Sequence, residues 1–185
     1  MLKNSILKDY WRMYGGWRAL CKSCYFRMSV VMTIILYPTW SHVGWWNDIL
    51  SLMPNLLGFS LGGFAMWIAI GDDNFRELIS GSEENKTSPY MEVNAAFVHF
   101  IFLQILSILI GLIAKSYCVI LLGEFSFLKQ YGLIYIICLK AVSGLGYFIF
   151  VYAIFSALAA VFAIFRVSKW YDQYSGHIRK SKKRN

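Results

Sequence analysis

Four apolar blocks set the terms on which this chain can fold. They occupy residues 28–46, 50–71, 95–114 and 141–165. A bilayer's hydrocarbon core is about 30 Å thick, and a helix rising about 1.5 Å per residue crosses it in about 20 residues. Each block is near or above that length. The predicted fold is an all-α membrane protein with four transmembrane helices. Composition agrees, because only 15% of the 185 residues are charged, against about a quarter in an ordinary soluble domain. Little chain is left for a separate soluble domain. The expected organisation is an N-terminal segment 1–27, a transmembrane domain 28–165 and a basic tail 166–185. Within the middle part lie a cytoplasmic loop, 72–94, and an outer extension, 115–140. No small-residue cleavage site follows the first block, so it is expected to stay as an uncleaved anchor.

Charge orients the blocks. The formal net charge is +8, and of the 18 lysines and arginines only Lys115, Lys129 and Lys140 fall on the far side of a four-span arrangement. The positive-inside rule then places both termini and loop 72–94 in the cytoplasm of a cell whose inner (plasma) membrane holds the chain. The same rule explains the basic tail without nucleic acid: each Lys or Arg beside an anionic leaflet contributes roughly 1 kcal/mol. Membrane lipid is therefore the expected partner, and direct nucleic-acid binding is not.

The N-terminal segment has a helical stripe of Leu2, Ile6, Tyr10, Met13, Trp17, Leu20 and Cys24, with most basic residues elsewhere on the wheel. This predicts an amphipathic helix, on the membrane surface or packed on protein, which Gly15-Gly16 weakens in the middle. Trp40, Trp45 and Trp46 suit a membrane interface. Asn47 and Asp48 read as a tight turn, and Pro54 as lying near the start of the second helix.

Helix-packing positions are expected at Gly58, Gly62 and Gly63, and at Ala153, Ala157 and Ala160. Small residues four apart let a second helix approach closely, within the chain or from another copy. Loop 72–94 carries Asp72, Asp73, Glu77, Glu83 and Glu84, and the tail carries Arg179, Lys180, Lys182, Lys183 and Arg184. These two charged clusters are the candidate surfaces for a cytoplasmic protein. If the apolar extension 116–139 continued the last two helices they would exceed a bilayer's thickness, so they tilt, protrude, or enclose interfacial or re-entrant segments. Lys115 and Lys140 are outer-face candidates, either snorkelling to the interface or forming rings in an oligomer.

Chemistry is sparse. No carboxylate lies deep in any block, which argues against a transporter with a charged midplane site. His99 reads as a hydrogen-bonded packing residue. HExxH, GxSxG and Walker patterns are absent. The single Cys21-Lys-Ser-Cys24 pair reads as two free thiols or an acylation site, and Cys118 and Cys138 as small packing residues, with an outer disulfide the alternative. No catalytic residue, metal or cofactor is expected.

In size, four spans, inward termini, the glycine-rich stretch 55–63 and the basic tail, the chain resembles the KwaA family, the small membrane proteins of the bacterial Kiwa anti-phage system. The resemblance implies a homo-oligomeric membrane sensor of infection with a cytoplasmic, DNA-binding partner, KwaB. Sequence and resemblance together point to a self-associating scaffold or sensor that is not an enzyme. The alternative is a small oligomeric channel or membrane-disrupting effector.

Overall fold

A computed structural model describes residues 6–69, 79–80, 88–123 and 132–182. Among these every regular element is a helix: α1 Ile6–Tyr14, α2 Gly16–Lys22, α3 Cys24–Ile35, α4 Tyr37–Trp40, α5 Trp46–Ala69, α6 Pro89–Gly123 and α7 Gly132–Lys182. Three of them, α5, α6 and α7, are long and apolar enough to cross a membrane. Their packing follows a row. α6 lies between α5 and α7, α3 packs on the other flank of α7, and α1 lies against α6.

The first apolar block differs from expectation. Its helix starts four residues early, at Cys24, and stops at Ile35. Twelve residues rise only about 18 Å, short of a hydrocarbon core. The break falls at Leu36, whose backbone (φ −83°, ψ 16°) leaves the helical region. Pro38 follows two residues on, in the first turn of α4, where a missing N–H is tolerated. The turn to α5 then runs through Gly44, whose φ of 98° suits a residue without Cβ.

α5 also starts early. Asn47 and Asp48 belong to its first turn rather than to a connecting loop, and Pro54 lies inside the helix instead of near its start. Loop 72–94 is shorter than expected at its far end, since α6 begins at Pro89. The acidic candidates Asp72, Asp73, Glu77, Glu83 and Glu84 lie outside the described residues.

α6 and α7 run past their apolar blocks. With 35 and 51 residues, they are about 53 Å and 77 Å long. α7 continues through Gly176 to Lys182 as one helix, where the sequence suggests a flexible tail. Its polar end carries Arg166, Lys169, Arg179, Lys180 and Lys182, all good helix formers.

Two apolar clusters hold the row together. One joins Trp45, Trp46, Ile49 and Met53 to Leu103 and to Tyr147, Phe150, Val151 and Ala153. The other joins Val93, Phe97 and Phe100 of α6 to Ala160, Ala163 and Val167 of α7. Two of the closest helix approaches use glycines on the outer side of the alanine face of α7. A Cβ at Gly146 would lie 2.8 Å from the Trp45 ring and 2.9 Å from Ile110, and one at Gly144 would lie 3.1 Å from Trp40.

Candidate functional site

The expected packing residues divide into two groups. Ala153 and Ala160 are buried at the α6–α7 interface and Ala157 packs beside them. Around Gly58, Gly62 and Gly63 no atom lies within 4 Å of where a Cβ would stand, and the neighbouring Phe59 is 83% exposed. Among the described residues, then, nothing packs on the glycine face of α5. Lys115 is exposed. Lys140 is exposed too, and its Nζ donates to Tyr37 Oη at 3.2 Å while lying 5.7 Å from the centre of that ring. Cys21, Cys24 and Cys138 are free, exposed thiols. No group of three or more His, Cys, Asp or Glu suitable for a metal occurs among the described residues. Of the tail candidates, Lys180 is exposed near the end of α7. Arg179 and Lys182 lie in that helix without described side chains, and Lys183 and Arg184 lie outside the described residues.

One polar cluster ties three helices together. Tyr10 Oη lies 2.6 Å from His99 Nδ1, His99 Nε2 lies 3.0 Å from Tyr152 Oη, and Tyr152 Oη lies 3.2 Å from Tyr14 Oη. The four groups form one chain: Tyr10 donates to Nδ1 while Nε2–H donates to Tyr152, or both bonds reverse with the tautomer, and the two phenols Tyr152 and Tyr14 share a bond that either can donate. The Tyr14 ring also stacks on the imidazole, 3.9 Å between centres. Tyr10 and Tyr14 stand four apart on α1, so one helical face presents both. Burial, with the nearby Tyr14 second, pushes the Tyr10 hydroxyl up to about 12. Burial likewise raises Tyr14, against a smaller lowering by its bond to Tyr152. Both phenols therefore stay protonated at neutral pH and remain able to donate. The expectation of His99 as a hydrogen-bonded packing residue holds. The roles of Tyr14 and Tyr152 were missed.

The break at Gly15 belongs to the same construction. Its φ is 95°, and a Cβ there would lie 2.7 Å from that of Ala19. Glycine allows α1 to turn sharply into α2 and lie on α6.

Beside this cluster is a cavity of about 460 Å³. Its floor is made by Ala96 of α6 and by Ala159, Phe162 and Ala163 of α7, and Tyr14 and Gly15 form one side. Glu92, Arg166 and Trp170 also line it. Tyr25, in the first turn of α3, closes another side. The three alanines of the floor leave the space. A second, smaller recess reaches from Tyr14 to His99, Tyr152 and Ser156, so the tyrosine–histidine cluster adjoins the cavity.

No protein-family model matches the chain, and neither the curated proteins nor the solved structures searched contain a match.

Proposed function

We propose that this protein is a multi-pass membrane scaffold or sensor, not an enzyme, that self-associates and recruits a cytoplasmic protein. The observation that carries the reading is the uncovered glycine face of α5. Gly58 and Gly62 have open space above them on a helix apolar enough to cross a bilayer. Small residues let two helices pack backbone to backbone where lipid tails give no hydrophobic driving force. Size determination in detergent, with crosslinking in native membranes, tests this. Wild type should be oligomeric, and Gly58→Leu with Gly62→Leu should shift it towards monomer. A monomeric wild type rules the reading out.

In this reading both termini are cytoplasmic, and the fourth crossing is made by α3 and α4 together. Cys24 to Trp40 spans about 26 Å if measured as continuous helix, enough for a thinned or tilted passage. The partner docks on the charged cytoplasmic surface, to which exposed Lys180 belongs and to which the sequence adds the acidic residues of 72–94. Charge reversal of the acidic loop should abolish partner pull-down. The likeness to KwaA proteins supplies the setting of this proposal, anti-phage defence in a bacterial inner membrane. Phage challenge of cells with and without the gene and its neighbours tests that setting.

A further inference from the structure

The cavity beside Tyr14 lies where the apolar parts of α6 and α7 give way to charge. Arg166 is the first charged residue after block 141–165, and Glu92 is the last before block 95–114. Both line the cavity, both are exposed, and neither side chain makes an ion pair among the described residues. Its floor of Ala96, Ala159 and Ala163 is apolar and leaves room because alanine fills so little of the space between two helices. A volume of about 460 Å³ falls within the usual range for small-ligand sites, about 300–1,000 Å³. Apolar at depth and carrying one cation and one anion at its mouth, it matches an amphiphile whose head bears both charges.

We propose that this cavity holds a zwitterionic phospholipid of the cytoplasmic leaflet, with its phosphate at Arg166, its ammonium at Glu92 and its upper acyl chain over Ala96, Ala159 and Ala163. The assignment rests on the membrane reading given above. It follows from the start of α3 at Cys24: only Tyr25 of that helix reaches the cavity, so the inner flank of the α6–α7 pair is left open to lipid. A purely anionic headgroup would satisfy Arg166 and be repelled by Glu92, so the paired charges select against it. Trp170, at the rim, is suited to headgroup depth.

Native mass spectrometry of the full chain, delipidated in detergent and titrated with phosphatidylethanolamine or phosphatidylglycerol, tests the site. Wild type should retain the ethanolamine lipid about tenfold better, the size of one charge-assisted hydrogen bond. Arg166→Gln, at an exposed position, should lower that retention by about tenfold. Glu92→Gln should erase the preference. Ala159→Phe, which fills the floor, should weaken both lipids. Equal retention of the two lipids by wild type overturns the proposal, as does unchanged retention in both Arg166→Gln and Ala159→Phe. Displacement by an equal concentration of soluble glycerophosphoethanolamine would show that the ligand is the free headgroup and overturn the lipid assignment. Alkaline carbonate extraction of the native membranes, before detergent is added, separates the two levels. Release of the chain from membranes removes the membrane reading itself, whereas firm retention without lipid preference removes only this site.

Discussion

At the scale of single residues, the partly buried Tyr10–His99–Tyr152–Tyr14 chain fixes α1 to the helix pair beneath it. Removing the Tyr152 hydroxyl leaves a His99 ring nitrogen and Tyr14 without their partner. An orphaned buried polar group costs about 1–3 kcal/mol. Tyr152→Phe should therefore loosen α1, and trypsin should cut at Lys8 and Arg12 faster than in wild type; equal rates would show that α1 is held by its apolar contacts alone. A second expectation concerns pH. The folded state holds the Tyr10 proton more tightly than the unfolded chain, with a value of about 12 against the ordinary 10.0. The stability this contributes is complete below pH 10 and is lost as pH rises towards 12. The difference in tyrosinate absorbance between wild type and Tyr10→Phe should titrate near 12; a midpoint near 10 would mean a solvated hydroxyl. This cluster was only half legible in the sequence. The spacing of Tyr10 and Tyr14 marks a common face. Their partner His99 is 89 residues from Tyr10 in the chain, and no local pattern announces it.

At the scale of elements, glycines serve two opposite ends. Gly146 is pressed by Trp45 and Ile110, so Gly146→Ala should cost about 1–3 kcal/mol through overpacking. Gly58 faces open space, so Gly58→Ala should leave the fold intact or stabilise it by about 0.5–1 kcal/mol, the usual gain from replacing a mid-helix glycine. Denaturation in detergent micelles checks both, and destabilisation of equal size in the two variants would contradict the packing described. Hydropathy made α5, α6 and α7 legible because each is an uninterrupted apolar run. It failed at α3, where the run of apolar residues continues but the backbone turns at Leu36 ahead of Pro38. Apolar counting registers solvent preference and is blind to a helix break inside the run. It also ended α7 too soon, since a helix that has left lipid loses its apolar signal without losing its hydrogen bonds. The cavity was illegible for a different reason: it arises from small residues on α6 and α7 that meet only after folding.

For the whole molecule, the side of the membrane taken by the N-terminal segment distinguishes three crossings from four. Cys21, Cys24 and Cys138 are free and exposed. With four crossings, a membrane-impermeant maleimide applied to intact cells should label Cys138 and spare Cys21 and Cys24. Labelling of all three would place the N-terminal segment outside and reduce the crossings to α5, α6 and α7. Liposome flux assays address the channel alternative, and the scaffold reading expects no conductance. The helix α7 carries a mechanical consequence whichever count holds. It runs without interruption from Gly132 to Lys182, so its polar C-terminal end is a stiff extension of the apolar part that could cross a bilayer. The stretch beyond Arg166 measures about 24 Å, so a rocking of about 10° within the membrane would sweep its basic tip by about 4 Å. Under the proposed scaffold reading, a change in bilayer thickness or in neighbouring copies would therefore displace the charge carried at that end.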